Sequence, residues 1–235
     1  MTFPIYSKPV PYVTAAQMIE VDRAMEEDYQ IVLMQMMENA GRNLAHLARQ
    51  RFLSGDPRGN TIVVLAGSGG NGGGAMVCAR RLHNWGADVQ VVITKAAEAF
   101  SGVTGQQLDI LKRMDIPIHQ ADWLETIRRA DLIIDGIIGY SLKGTPHGTV
   151  AMLINWANGQ QVPVLSLDAP SGIDISIGTI FDPAIRATAT MTLALPKAGL
   201  RADGVQGYVG ELYLADISVP PNLYAEPALA LDVGH

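Results

Sequence analysis

Cysteine, basic residues and long apolar runs are all scarce in this 235-residue chain, and each scarcity excludes a class of protein. The single cysteine, Cys78, cannot form an internal disulfide, and it lies in an apolar helical pattern typical of a small buried side chain. Lys and Arg number 17 against 23 Asp and Glu, and the net charge of −6 argues against general binding to nucleic-acid phosphates. No apolar run reaches membrane-spanning length without a charge or a turn signal, and the amino terminus lacks the basic start and apolar core of a signal peptide. We therefore expect a cytoplasmic protein that binds neither nucleic acid nor a membrane.

The composition is that of a folded globular protein. Hydrophobic residues make up 48% of the chain and charged residues 17%, which is too apolar for a disordered chain. A capping box at Thr14–Gln17 predicts one helix, and a second helical pattern covers residues 31–52. The methionine stripe of this second pattern suits a core or subunit contact better than a cofactor site. No repeat or interdomain linker is visible, so residues 1–235 are expected to form a single domain.

From residue 60 onward, short β-branched runs alternate with helical patterns, which is typical of a βαβ series with a buried parallel sheet. The predicted strands are TIVVLA, ADVQVVIT, IPIHQ, ADLIIDGI, VPVLSLDA, ATATMTLAL and GELYLADI. The predicted helices between the first five are AMVCARRLHNW, VTGQQLDILKRM, ADWLETIRRA and TVAMLINWAN. This alternation predicts an α/β fold.

The stretch GSGGNGGG at residues 67–74 joins the first predicted strand to a helix, a context that disfavours a flexible linker. Glycines there permit positive φ and close approach of a ligand, and the free N–H groups at the helix start favour an anion such as phosphate. Gly67, Gly69 and Gly72 also fit the dinucleotide pattern G-x-G-x-x-G, but the next strand ends in Thr94 instead of an acid. The sequence therefore predicts phosphate binding and disfavours a conventional NAD-dependent dehydrogenase. A Walker A loop is excluded, since no Gly-Lys-Ser/Thr follows the glycines.

Two aspartates follow buried strands, where ligands bind in parallel sheets: Asp135 closes ADLIID and Asp168 closes VPVLSLD. Each is equally well explained as a turn or helix cap. Asn71, Asp135 and Ser171 would supply hard oxygen ligands, and a set with one carboxylate suits K⁺ better than Mg²⁺ or Ca²⁺.

Other polar residues near these strand ends carry weaker hypotheses. Ser171 as a nucleophile is disfavoured, because it lies outside a G-x-S-x-G elbow and no histidine is placed by sequence to activate it. Lys143 and His147 would either meet phosphate oxygens or remain solvated surface side chains.

Several segments in order resemble the NAD(P)H-hydrate epimerases, also called the YjeF amino-terminal domain family. They are AAQMIEVDRAM, LMQMMENAGRNLA, LAGSGGNGGGAMVCARRL, DLIIDGIIGYSLKG, VPVLSLDAPSGIDISIG, TMTLALPKAGL and GYVGELYLADISVP. The resemblance implies a three-layer α/β/α Rossmann-like fold with two N-terminal helices and a mostly parallel central sheet, usually as a homodimer. It implies interconversion of the R and S forms of hydrated NADH or NADPH, coupled to a separate dehydratase that accepts the S form. We expect no dehydratase domain in this chain.

The resemblance also implies roles for individual residues. The potassium ligands correspond to Asn71, Asp135 and Ser171, and Asp168 lies at the nicotinamide end of the substrate. The remaining substrate-binding positions are Gly70, Asn71, Gly72, Gly73 and Gly74 in the glycine stretch and Gly139, Tyr140, Ser141, Leu142, Lys143 and Gly144 in a second loop.

Our hypothesis from this resemblance is that Asp168 acts as general acid and base. The family's Asn-Asn-Gly-Gly-Asp is replaced here by Gly70-Asn71-Gly72-Gly73-Gly74, so that one asparagine and one aspartate are missing. The alternative hypothesis is therefore a catalytically impaired member that serves as a nucleotide-binding or scaffold module.

Overall fold

A computed structural model describes residues 3–5, 9–127, 129–140, 142 and 144–233. Its α-helices are α1 (Ala15–Glu27), α2 (Leu33–Arg51), α3 (Gly70–Asn84), α4 (Gly102–Arg113), α5 (Gly148–Gly159), α6 (Gln206–Val209) and α7 (Pro221–Ala225). Its strands are β1 (Thr61–Ala66), β2 (Asp88–Ile93), β3 (Ile118–His119), β4 (Leu132–Gly136), β5 (Val164–Leu167), β6 (Ala189–Leu193) and β7 (Glu211–Ala215).

The seven strands form one sheet in the order β3-β2-β1-β4-β5-β6-β7, and each neighbouring pair is parallel. The chain moves outward from β1 in one direction through β2 and β3, then returns to the other side of β1 with β4. This reversal between β1 and β4 is a topological switch point, where the carboxyl ends of parallel strands leave a crevice for a ligand.

Alternate side chains of the central strands pack against two different helical layers. On one face, Ile62 and Val64 of β1 belong to a core completed by α2, α3 and α4. On the other face, Val63 and Leu65 pack with Leu153 and other side chains of α5. The period-two alternation of a strand therefore produces the three-layer α/β/α arrangement. The helices α1 and α7 share a separate apolar cluster beside the end of β6.

The sequence predicted all seven strands, with ends that differ by no more than two residues, and the capping box at Thr14 is confirmed. The helix predicted over residues 121–130 is wrong, because only a 3₁₀ segment forms, at Ala121–Thr126. Within it the Trp123 ring stacks on His119, with centroids 3.5 Å apart. The Asp131 N–H then donates to the Thr61 carbonyl at 2.8 Å, so the chain already joins the sheet there. Strand pairing thus overrides the local helical pattern.

Among the residues that the structure describes, no helix combines the length and the apolar character needed to cross a membrane.

Candidate functional site

The glycine stretch forms a shorter turn than predicted, since α3 already begins at Gly70. None of its glycines has positive φ, so the expectation that they adopt a left-handed backbone conformation is wrong. Close packing explains the composition instead: a Cβ on Gly72 would collide with the Gly67 carbonyl, and one on Gly74 would lie 2.8 Å from Leu167 Cδ2. Glycine lets α3 approach the sheet closely, and this tertiary packing outweighs its low helix propensity.

The start of α3 is open to a ligand. Gly69, its N-cap residue, has no side-chain cap, and the first helical hydrogen bond runs from the Gly73 N–H to the Gly69 carbonyl. The N–H groups of residues 70–72 therefore have no partner within the helix. A Cβ on Gly69 or Gly70 would meet no atom within 4 Å, so this main chain is accessible. Such a helix start attracts anions.

Two cavities adjoin this helix start. The outer cavity, about 560 Å³, is lined by residues 67–71, by Thr94 and Lys95 after β2, and by Ile137–Tyr140, Leu142, Gly144–His147 and Val150. None of its described lining residues carries a carboxylate. The inner cavity, about 90 Å³, includes Asp22, Asp168, Lys197 and an apolar wall of Met18, Met36 and Met37. Gly70, Asn71 and Tyr140 line both cavities and so connect them.

Asp135 lies at the end of β4 beneath these cavities and is fully buried. Its Oδ1 accepts from the Ser171 hydroxyl at 2.6 Å and the Ile137 N–H at 3.2 Å. Its Oδ2 accepts from the Ser166 hydroxyl at 2.8 Å and the Ser171 N–H at 2.9 Å. Burial raises the pKa of Asp135, and these hydrogen bonds oppose the rise. Every donor is electrically neutral, so the carboxyl is satisfied without a counter-charge.

Asn71 lies within the same group of residues. Its Nδ2 donates to the Leu167 carbonyl at 2.7 Å, which fixes the amide between β4 and β5. The amide lies close against Gly139, where a Cβ would be 2.5 Å from Asn71 Oδ1. Among the described residues, none donates a hydrogen bond to that oxygen. The Ser171 hydroxyl also accepts from the Ile138 N–H at 2.9 Å. This bond joins the loop after β5 to the loop after β4.

Asp168, directly after β5, is also buried, but its environment is charged. The Lys197 ammonium group donates to Asp168 Oδ1, and the Leu193 N–H donates to the same oxygen at 3.2 Å. Thr192 Oγ1 lies 3.4 Å from it. Asp168 has φ +67°, a left-handed conformation that is uncommon for a residue with a side chain. Such backbone strain is concentrated at functional sites.

The two carboxylate oxygens of Asp168 differ. All the hydrogen bonds above reach Oδ1, and no described residue donates to Oδ2. Because Asp168 lines the inner cavity, Oδ2 is the oxygen left for a ligand there. Lys197 is fully buried, and its three N–H donors are directed to Asp168 Oδ1, the Leu193 carbonyl at 2.8 Å and Thr192 Oγ1 at 3.3 Å.

A tyrosine connects the second predicted loop to α1. Tyr140 donates from its hydroxyl to Asp22 Oδ2 at 2.6 Å. Burial raises the pKa of Asp22, partly offset by this hydrogen bond, and burial together with the bond raises the pKa of Tyr140. The pair joins the loop after β4 to the helix that covers the inner cavity.

The structure brings together most of the residues predicted from the sequence. Asn71, Asp135 and Ser171 converge beneath the cavities, and Asp168 lies at the inner one. Gly70, Gly139, Tyr140, Leu142 and Gly144 line the outer cavity, as does His147. Gly72, Gly73 and Gly74 are buried under the turn and line neither cavity. Ser141 and Lys143 lie outside the described residues.

Sequence reasoning missed Lys197 and Asp22. Lys197 follows the end of β6, so the rule that selected Asp135 and Asp168 from strand ends would also have found it. Asp22 carries no comparable signal, because its partner Tyr140 is 118 positions away.

Comparison with known proteins identifies relatives over most of the chain. The family model for the YjeF-related protein N-terminus matches residues 33–199. The chain is 40% identical over 222 residues to an NAD(P)H-hydrate epimerase of Dehalogenimonas lykanthroporepellens, covering 92% of this chain and 86% of that one. A protein of the same name from Limosilactobacillus fermentum is 34% identical, with 87% and 95% covered.

Longer relatives and a solved structure agree. The bifunctional NAD(P)H-hydrate repair enzyme Nnr of Moorella thermoacetica is 35% identical over 91% of this chain, which spans 41% of that enzyme's length. The crystal structure of yeast ynu0 superposes with a TM-score of 0.80 at 26% identity and 96% coverage of both chains. This chain belongs to the YjeF-related protein N-terminus family.

Proposed function

We propose that this protein is an NAD(P)H-hydrate epimerase, an isomerase that interconverts the R and S forms of hydrated NADH and NADPH. One observation carries the proposal: the buried Asp168, whose Oδ2 accepts no hydrogen bond from a described residue, lines a largely apolar cavity beside an accessible helix N-terminus. The names of relatives at 30–40% identity over most of the chain support the same activity.

The two cavities suit the two ends of the substrate. The unpartnered N–H groups at the start of α3 and the absence of carboxylates among the described lining residues favour the pyrophosphate in the outer cavity. The methionine wall of the inner cavity offers an adaptable apolar surface for the nicotinamide ring. Asn71 and Gly70, shared by both, lie between the reacting ring and the phosphates.

In the proposed reaction, Asp168 moves one proton at Oδ2. The lone pair of the ring nitrogen forms a double bond to C6 as the C6–O bond breaks, and Asp168 donates a proton so that the hydroxyl leaves as water. A second water adds to C6 from the opposite face, the electron pair returns to nitrogen, the added water releases a proton to solvent, and Asp168 regains a proton from solvent. Positioned proton transfer of this kind contributes roughly 10²- to 10⁴-fold.

Lys197 acts in this scheme by positioning Asp168. Its three N–H donors are already engaged inside the protein, so it has none left for the substrate. Its charge compensates the carboxylate once the proton has been given up. Because it holds Oδ1, the reacting oxygen Oδ2 is kept toward the cavity.

The residues proposed as potassium ligands form a suitable set of oxygens. Asn71 Oδ1 accepts no hydrogen bond from a described residue, Asn71 Nδ2 is bonded to the carbonyl at the end of β5, and the Ser171 hydroxyl is bonded to Asp135. Each oxygen of Asp135 already accepts two hydrogen bonds, so a bound cation would replace the hydrogen bond from the Ser171 hydroxyl. K⁺ held by Asn71, Asp135 and Ser171 would supply positive charge below the substrate phosphates.

The proposal is tested by adding the purified protein to mixed R and S hydrated NADH with an S-specific dehydratase, with and without K⁺. We expect the whole mixture to be consumed faster than spontaneous epimerisation allows, and faster with K⁺ than with Na⁺. Consumption of only the S form, followed by the spontaneous rate, would reject the activity. Equal rates in the two salts would reject the potassium proposal alone.

The alternative, a nucleotide-binding or scaffold module, is favoured by the replacement of the family asparagine and aspartate by Gly70 and Gly74. Persistent nucleotide binding without any epimerisation in the same assay would establish it.

A homodimer, a cytoplasmic location and coupling to a dehydratase are further parts of the proposal. Two relatives are named bifunctional NAD(P)H-hydrate repair enzymes, and the presence of two activities on one chain in those proteins supports the coupling. A mass near 50 kDa by light scattering, twice the 25.2 kDa of one chain, is the result expected for a dimer.

A further inference from the structure

We infer that Lys95 forms a binding site for the 2′-phosphate of an adenosine ribose, so that the protein prefers hydrated NADPH to hydrated NADH. The inference rests on the proposed function, since it concerns the other end of the same substrate.

Lys95 lies beside the glycine-rich turn. Strands β1 and β2 are paired in parallel with Ala66 opposite Ile93, and the Thr94 N–H donates to the Ala66 carbonyl at 3.1 Å. Thr94 and Lys95 therefore leave the sheet at the same edge as Gly67. Both line the outer cavity.

This position determines nucleotide selectivity in doubly wound sheets with this strand order. A dinucleotide bound across the switch point has its adenosine ribose near the end of β2, where an acid contacts the 2′-hydroxyl of NAD and a cationic side chain accommodates the 2′-phosphate of NADP. The absent acid at this position argued against an ordinary NAD site in the sequence. With the fold known, the same absence, together with Lys95, favours the phosphorylated form.

The distance across the sheet suits one substrate. Asp168 follows β5 and Lys95 follows β2, with β4 and β1 between them. Three strand spacings amount to ~14 Å. A dinucleotide whose ring lies at Asp168 and whose pyrophosphate lies over β4 and β1 extends toward Lys95 with its adenosine half.

The charges around Lys95 leave it available. Its side chain is exposed, and within the described part of the chain it makes no hydrogen bond or ion pair. Among the described lining residues of the outer cavity it is the only Lys or Arg, and none is an Asp or Glu. An ammonium group without a competing carboxylate is a suitable partner for a phosphomonoester.

The test compares adenosine 2′,5′-bisphosphate with adenosine 5′-monophosphate by calorimetry, because the two probes differ only in the 2′-phosphate. We expect the bisphosphate to bind about tenfold more tightly to the native protein, the size of one charge-assisted contact. Lys95→Met should abolish the difference. Lys112→Met, which removes an exposed lysine on α4 outside the outer cavity, should preserve it.

Equal binding of the two probes to the native protein, or a preference that survives in Lys95→Met, would overturn the inference. Measuring epimerisation of the two hydrates distinguishes failure of the Lys95 inference from failure of the proposed function. Equal kcat/KM for hydrated NADPH and NADH would refute the Lys95 site while the enzyme stands. A Lys95-dependent preference for the bisphosphate without epimerisation of either hydrate would uphold the site and refute the enzyme.

Discussion

Asp135 and Asp168 end neighbouring strands of the same sheet and are both buried, yet their surroundings differ in kind. Asp135 is sealed in the sense that four neutral donors occupy both of its oxygens and it lines neither the outer nor the inner cavity. Asp168 lines the inner cavity and is paired with a buried lysine through one oxygen, and no described residue donates to its other oxygen. The sealed carboxyl ties the end of β4 to β5 and to the loop after β5. A carboxyl that is anchored through one oxygen can exchange a proton with a ligand through the other.

Removing the lysine should give the largest change in stability. Lys197→Met leaves Asp168 buried without its counter-charge, and we expect the free energy of unfolding to fall by about 3–5 kcal/mol. Adding Asp168→Asn should recover most of that loss, because no charge then remains unpaired. Urea unfolding of the two single variants and the double variant measures the coupling. Losses that simply add would show that the two side chains are not paired.

Substitution of Asp135, the sealed carboxyl, should lower the free energy of unfolding, and among the described residues there is no charged partner whose removal would restore it. In Asp135→Asn, the amide NH₂ faces donors, so at least one buried N–H or O–H loses its acceptor, at a cost of about 1–3 kcal/mol. Asp131→Asn, a partly exposed aspartate at the other end of β4, serves as control and should lose less than about 1 kcal/mol. Equal losses in the two variants would contradict the sealed environment of Asp135.

Gly74 and Gly70, the two glycines at which the sequence resemblance implies an aspartate and an asparagine, also differ in how closely they are packed. Gly74→Asp would place a carboxylate against Leu167 and Ala40, with an expected loss of about 1–3 kcal/mol. Gly70→Asn enters open space and should change stability by no more than about 0.5 kcal/mol. Thermal unfolding distinguishes the two, and a tolerated Gly74→Asp would refute the packing account of the glycine stretch.

Tyr140→Phe should have the smallest effect. It removes the hydrogen bond to Asp22 that joins the loop after β4 to α1, without touching either strand-end aspartate. We expect KM for the hydrated nucleotide to rise roughly two- to tenfold with kcat nearly unchanged. A lowered kcat with unchanged KM would instead give Tyr140 a role in the chemical step.

Most of the sheet could be predicted from the sequence, because each strand is a short apolar run rich in β-branched residues, and such a run is recognisable without knowledge of distant contacts. The strand-end rule also selected Asp168, which lines the inner cavity, and Asp135, which ends the neighbouring strand. The errors arose where distant contacts decide. Residues 121–130 carry a helical pattern, but only a 3₁₀ segment forms and the chain joins the sheet from Asp131. The helix α3 begins earlier than predicted, because the close packing of Gly73 against Met37 and of Gly74 against Leu167 offsets the low helix propensity of glycine. The Lys197 pairing depends on the adjacency of β5 and β6, which only the fold reveals.

The most direct test of the account is the epimerisation rate of the Asp168→Asn, Lys197→Met double variant, in which no buried charge is left unpaired. We expect the rate to fall at least about 10²-fold, toward the spontaneous value, while binding of the hydrated nucleotide by calorimetry stays within a few-fold of the native protein. Epimerisation at the native rate in the folded double variant would show that the chemistry resides elsewhere.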